Sequence, residues 1–282
     1  MAVNIFEKFG IKEVANVYFE ALADNAAFGE NKGDIVLFLD TLKVSSIETT
    51  AENVAAQGGW GNPKLVMWDY GKEINLTLED ALLSLESARV MLGGKIKKIG
   101  GEQGNEVTVH YTGVCTVEDG VVDLTKVENP STKEVYKGLD AKTTEVRYID
   151  MTAGERGVFT AEEDASSFEA EEKLNGHELR LFWKVVKKEE PTDGSNTAVE
   201  ITISPDTFPG TYKIVGDTFM KSASNGKDYP FQFVIPKAKV LSEVTLTMEA
   251  EGDPSTFEMQ INVLRDDKGE MMKLIRYAEA SN

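Results

Sequence analysis

Apolar and polar residues alternate with a period of two along much of the chain, which predicts a protein built mainly of β-strands. The clearest alternation is in the last third, over residues 244–248, 257–263 and 271–277. Shorter apolar runs predict further strands at residues 35–39, 64–68, 73–77, 107–112, 198–203 and 231–235. The three C-terminal runs are separated by turn residues, so they indicate an antiparallel meander with one polar face.

One segment follows the spacing of a helix instead. Its apolar residues recur three or four positions apart, at Leu78, Ala81, Leu82, Leu85, Ala88 and Leu92. Thr77 and Asp80 resemble a capping box at its start, and the pair Gly93-Gly94 would end it. The sequence therefore predicts one amphipathic helix over residues 78–92 that packs its apolar stripe on the β core.

Two long stretches lack a clear period: residues 44–63, rich in Ser, Thr, Ala and Gly, and residues 113–176, where acids and turn residues interrupt short apolar pieces. Connections longer than about 15 residues are uncommon in compact domains and are often functional. We therefore expect residues 1–112 and 177–282 to form two parts of one β domain. Residues 113–176 would be an insertion or a long excursion from it.

The chain is strongly acidic, with 48 Asp and Glu against 30 Lys and Arg and a formal net charge of -18. Proteins bind phosphates by neutralising them with Lys and Arg, so this balance argues against a nucleic-acid-binding surface. No run of 18 apolar residues is present, and the first residues lack the apolar run of a signal peptide. We expect no membrane association, and synthesis and assembly in a cytoplasm.

Residues that carry enzyme chemistry are sparse. The sole cysteine, Cys115, excludes an intrachain disulfide, and with His110 and His177 it forms no recognisable triad or zinc motif. The acidic runs at 162–164 and 169–172 lack the alternating spacing of a calcium loop, and the glycines of 100–104 lack the lysine of a phosphate-binding loop. We expect no catalytic residue, no metal and no cofactor.

Four stretches resemble the tail tube proteins of tailed phages. They are residues 68–81 (WDYGKEINLTLEDA), 205–218 (PDTFPGTYKIVGDT), 227–237 (KDYPFQFVIPK) and 249–257 (EAEGDPSTF). None of them is a catalytic motif, and the resemblance lies in the order of strands, helix and turns.

The resemblance implies a β-sandwich or barrel-forming tail tube fold with one flanking α-helix and an inserted region. Six copies would form a ring, and stacked rings would form the tube through which DNA is ejected. The tape measure protein would fill the lumen before DNA passes through it without specific binding, and sheath, tail terminator and baseplate proteins would be further partners in the virion tail. The alternatives are another virion or contractile-injection component, a carbohydrate-binding module or an enzyme.

The resemblance also implies a long loop that reaches the adjacent ring, and residues 44–63 are the candidate. The candidate inter-ring residues are Val44, Ser45, Ser46, Thr49, Glu52, Gln57, Trp60 and Asn62. A second candidate surface is the acid-rich C-terminal meander, where strand alternation would place Glu249, Glu258 and Gln260 together on the polar face. We expect these three residues to line the lumen and to repel the DNA backbone.

Overall fold

The computed structural model describes residues 8–11, 13–25, 28–98, 106–130, 134–135, 142–187, 198–245 and 256–277. The described strands are β1 (Phe9–Ile11), β2 (Asn16–Ala21), β3 (Ile35–Leu39), β4 (Leu42–Gln57), β5 (Lys64–Asp80), β6 (Lys95–Lys98), β7 (Val107–Thr116), β8 (Val121–Asp123), β9 (Thr143–Asp150), β10 (Arg156–Ala165), β11 (Ser167–Glu169), β12 (Glu178–Lys187), β13 (Val199–Thr202), β14 (Thr211–Ser222), β15 (Asp228–Val240), β16 (Phe257–Val263) and β17 (Lys273–Arg276). Within these residues there is one α-helix, α1 (Leu85–Leu92). The mainly β fold with a flanking helix is therefore confirmed.

The chain forms two compact units. The first combines Met1–Ile96 with Ile201–Asn282, and the second is Lys97–Glu200. The chain crosses between them within β6 and β13, which pair as a two-stranded sheet. The second unit contains residues 113–176 but is wider than that range, because β7 and β12 pair with each other along their whole length.

The first unit is built on a nine-stranded antiparallel sheet in the order β3-β2-β14-β15-β16-β5-β4, with β1 on β14 and β17 on β15. The end strands of this path, β3 and β4, follow each other in the chain, separated only by residues 40–41. Thr41 Oγ1 donates a hydrogen bond of 2.5 Å to Asp80 Oδ1 on β5. The two strands at opposite ends of the sheet order are therefore consecutive in the chain.

The core of the first unit lies on one face of this sheet. Its largest fully buried side chains are Phe19, Leu76, Leu78, Tyr212, Ile214 and Ile235, and Val90 and Met91 of α1 join the same cluster. Position 216 has room only for glycine, because a Cβ atom there would lie 2.1 Å from the nearest ring atom of Phe233. The strands around this core place their alternate residues on the opposite, partly polar face.

The helix is shorter than the sequence pattern predicts. Residues 78–80 continue β5, because Leu78 pairs with Met259 and extends the buried alternation of the strand. The capping box is formed by Ser84 and Ser87, not by Thr77 and Asp80. Gly93 ends the helix in the left-handed conformation, with a φ of 67°, as predicted.

The prediction of a loop over residues 44–63 is wrong. Residues 42–57 form the 16-residue strand β4, and only residues 58–63 form the turn to β5. The two short strands predicted at 64–68 and 73–77 are one 17-residue strand, β5, whose pairing with β4 shifts by one residue near Gly71. Both faces of β4 are exposed, so its sequence carries no apolar period to reveal the strand.

The second unit has its own core on a four-stranded antiparallel sheet in the order β10-β9-β12-β7. Tyr148 stacks on Phe159 with ring centroids 4.6 Å apart, and Tyr111 stacks on Trp183 at 5.5 Å. Strands β8 and β11 form a small sheet beside it. His110 lies on the exposed face of β7, as its position in the alternation predicts.

Candidate assembly surfaces

The hairpin formed by β4 and β5 is exposed along most of its length. From Lys64 to Glu73 every residue of β5 is exposed, and the paired part of β4 is exposed or half-buried. The turn is closed by a hydrogen bond of 3.1 Å from Asn62 Nδ2 to Gln57 Oε1, and Trp60 at its tip is fully exposed. A two-stranded ribbon of this length is not buried against its own chain.

The register of the hairpin sorts its side chains onto two faces. Trp68 lies directly opposite Val54, Val66 lies opposite Ala56, and Tyr70 lies opposite Glu52. Directly opposite residues share a face, so four large apolar residues form a row that we call the hairpin stripe. The stripe consists of Val54, Val66, Trp68 and Tyr70, each between 50% and 55% exposed. Half-exposed apolar residues grouped in this way mark an interaction surface.

The structure distributes the candidate inter-ring residues along this hairpin. Val44, Ser45, Ser46, Thr49, Glu52 and Gln57 lie on β4, and Trp60 and Asn62 lie in the turn. The sequence prediction missed the strongest members of the stripe, because Val66, Trp68 and Tyr70 lie on β5. These three residues occupy every second position of the strand, and two of them are aromatic. That spacing is the signal that could have identified them.

Glu258 and Gln260 lie side by side on the exposed face of β16, whose other face buries Met259 and Ile261. Gln260 Nε2 donates a hydrogen bond of 2.8 Å to Glu258 Oε1. Glu258 pairs with Glu79, Gln260 pairs with Thr77, and Thr77 pairs with Ser46. We call this group the polar face: Ser46, Thr77, Glu79, Glu258 and Gln260. Glu249, the third candidate lumen residue, lies outside the described residues.

A family model of the YomU/Tube protein family matches residues 9–167 and 185–276, which is well over half of the chain. The chain belongs to the YomU/Tube protein family. Comparison with curated proteins gave no match. The family confirms the resemblance to tail tube proteins and makes this tube-family chain a structural component of the virion tail. Among the described residues, no helix is long and apolar enough to cross a membrane.

A buried ion pair fixes α1 of this tube-family protein to the segment before β3. Arg89 Nη1 donates to Glu30 Oε1 at 2.7 Å, and both side chains are almost fully buried. Burial lowers the pKa of Arg89, but hydrogen bonds with Glu86 and Glu30 outweigh this effect and raise it. Burial and the nearby charge of Glu30 raise the pKa of Tyr212 to about 12. The ion pair therefore holds the helix against the segment that precedes β3.

The second unit contains Cys115, Asp150 and His177, whose side chains are of types that often carry enzyme chemistry. Burial, reinforced by the charge of Asp123, raises the pKa of Cys115 to about 11, so its thiol stays protonated at neutral pH. Asp150 Oδ2 lies 2.7 Å from His177 Nδ1, and Asp150 Oδ1 accepts hydrogen bonds from the backbone of Thr152 and Ala153. Burial raises the pKa of Asp150, but these hydrogen bonds outweigh that effect and lower it. Within the described ranges, no three His, Cys, Asp or Glu side chains are grouped to hold a metal ion.

Proposed function

We propose that this tube-family protein assembles into rings of six copies that stack into the tail tube, the conduit for DNA ejection. The observation that carries the proposal is the hairpin stripe, because a single chain leaves it exposed. Contact with another copy would remove Val54, Val66, Trp68 and Tyr70 from water. We therefore infer that the hairpin is the arm by which one ring holds the next.

The apolar area involved is large enough to drive association. Half of two valines, a tryptophan and a tyrosine amounts to roughly 400 Å² of apolar surface. At about 25 cal/mol per Å², its burial contributes roughly 10 kcal/mol, before the costs of lost rotational freedom and side-chain ordering are subtracted. Each ring would present six such arms, so even a modest net gain per arm would stabilise a stack.

The first unit also carries a surface suited to receive the arm. A depression of about 350 Å³ is lined by Ile11, Val14, Val44, Ile47 and Phe231 among others, and several of these side chains are exposed. An apolar ridge and an apolar depression on the same chain can bind head to tail, and such contacts propagate along a tube. We propose that the stripe of one copy packs into this depression of a copy in the adjacent ring.

The polar face would line the lumen. Glu79 and Glu258 are paired across neighbouring strands, so they present a negative surface that repels the phosphates of DNA. The tape measure protein would occupy the lumen before DNA passes, and the sheath, tail terminator and baseplate proteins would be the outer and terminal partners. Repulsion would act only near the wall, because the Debye length at physiological ionic strength is about 8 Å.

Negative-stain imaging of concentrated protein tests the proposal, with stacked rings of six as the expected result. The matched variant removes residues 51–72 and joins Thr50 to Glu73, which face each other in the register, through an Asn-Gly turn. This variant keeps the core strands, so we expect it to fold but to form only monomers or isolated rings. Tubes of wild-type length from this variant would refute the role of the hairpin, and a wild-type monomer at every concentration would refute the tube.

A further inference from the structure

The second unit has an exposed sheet face that the proposed tube contacts do not use. This outer face of β10-β9-β12-β7 carries Arg147, Arg156, Arg180 and Lys184, with Phe182 among them, and we call it the basic face. All five side chains are exposed. A cationic surface is unexpected in a chain with a net charge of -18, and it is complementary to a partner of opposite charge.

The strand register brings the three arginines together. Arg156 and Arg180 both pair with Ile149, one from each side, so they lie two strands apart, at about 10 Å. Arg147 pairs with Phe182 and is a diagonal neighbour of both, at about 7–8 Å. Three guanidinium groups therefore surround one point of the sheet, with an aromatic ring beside them.

The composition of the basic face favours a protein partner over a polyanion. Glu145 lies within the face and forms an ion pair of 2.8 Å with Arg147, and a fixed carboxylate there would repel a phosphate chain. Arginine and exposed aromatic residues are the types enriched at the centres of protein interfaces. Among the described residues, no carboxylate forms an ion pair with Arg156 or Arg180, so both remain available.

The same unit carries an acidic element that matches the basic face. Glu162, Glu163 and Asp164 are all exposed on the edge strand β10. They lie where residues 161–164 bulge out of the ladder, between the pairs Thr160 with Glu145 and Ala165 with Thr143. We call this segment the acidic bulge. It lies about 20 Å along the strand from Arg156, too far for Arg156 and the bulge to neutralise each other within one copy.

We propose that the basic face of one copy binds the acidic bulge of a neighbouring copy. The contact joins the second units head to tail, so each copy offers one basic face and one acidic bulge to a continuous row. This inference rests on the proposed assembly, because the tube would hold the copies close enough for a weak contact to form. Its function is to brace the assembled subunits through their second units, independently of the hairpin.

Disulfide trapping in the full chain tests the contact. Cys115→Ser removes the only cysteine, and in that background Arg156→Cys and Glu163→Cys are made as separate proteins, mixed, assembled and oxidised with diamide. We expect a dimer on a non-reducing gel. The matched control replaces Glu163→Cys with Glu118→Cys, an exposed carboxylate of the same unit outside the bulge, and should give no dimer.

Charge reversal separates a specific contact from random collision. Arg147→Glu with Arg180→Glu in the Arg156→Cys protein should lower the yield of dimer about tenfold, equivalent to about 1.4 kcal/mol. Glu162→Arg with Asp164→Arg in the Glu163→Cys protein should restore it. Tubes that give no trapped dimer would overturn this inference but leave the proposed function standing. If neither tubes nor trapped dimer formed, both the inference and the proposed function would be overturned. The wild type could instead retain a DNA duplex, lose it on the arginine reversals and give no trapped dimer. That result would assign the basic face to nucleic acid and would overturn this inference.

Discussion

Replacing Trp68 with threonine isolates the contribution of the hairpin stripe to assembly. Trp68 lies on the exposed part of β5 and is 55% exposed, so it makes few contacts within its own chain. Threonine is β-branched and, like tryptophan, is favoured in strands, so the hairpin itself should persist. We expect the free energy of unfolding of the free subunit to change by no more than about 0.5 kcal/mol, as for other surface substitutions.

The effect on assembly follows from the exposed area. A tryptophan presents up to about 250 Å² of surface, so its exposed half amounts to about 130 Å². Burying that area is worth about 3 kcal/mol at 25 cal/mol per Å². Because every 1.4 kcal/mol corresponds to a factor of ten, the concentration at which tubes appear should rise about 100-fold in the Trp68→Thr variant.

Sedimentation of tubes across a concentration series measures this threshold. The matched control is Met67→Thr, because Met67 is 53% exposed but pairs with Ala55 on the opposite face of the hairpin. We expect the control to assemble within a few-fold of the wild-type threshold. Equal thresholds for Trp68→Thr and the wild type, with an unchanged free energy of unfolding, would contradict the proposed docking of the stripe.

Three further predictions concern the two units. Arg89→Met leaves the buried Glu30 carboxylate unpaired, so it should lower the free energy of unfolding by about 3–5 kcal/mol in urea titrations, and adding Glu30→Met should recover part of the loss. The pKa of Asp150 is lowered by folding, so its stabilising effect is complete above the unfolded pKa of about 3.9 and is lost as the pH falls through the folded value. Asp150→Asn should therefore lower the thermal midpoint at neutral pH but not in strong acid. Glu258→Lys should permit assembly, and co-sedimentation should find more DNA held by its tubes than by wild type at low salt, a difference that high salt removes.

The sequence predicts the buried strands well because one-sided burial imposes a period of two. Residues 257–263 and 231–235 alternate or run apolar, and both lie in strands of the main sheet. The helix prediction failed at its start because Leu78 fits both periods. Leu76 and Leu78 both belong to β5 because they pair with β16. A pairing between segments distant in the chain cannot be predicted from the residue spacing within one segment.

The hairpin escaped prediction for the opposite reason. A strand with two exposed faces has no preferred side for apolar residues, so β4 resembles a polar loop. The one-residue shift near Gly71, with a φ of 60°, further divides β5 into two apparent pieces. The spacing of Glu258 and Gln260 predicts that they lie on the same face of one strand. Their cross-strand neighbours Thr77 and Glu79 could not be predicted, because they are set by the register between distant strands.

Net charge and the hairpin stripe have opposing effects on the free subunit. A charge of -18 repels other copies over the Debye length, which is about 8 Å in physiological salt, and this keeps an exposed apolar arm from causing indiscriminate association. The stripe acts only on contact, so association requires an approach in which apolar surfaces meet before like charges do. The basic face attracts acidic surfaces locally despite the overall repulsion, and this attraction favours one orientation of the two copies. Assembly should therefore become faster but less selective as the salt concentration rises, because screening removes the repulsion and weakens the orienting attraction together.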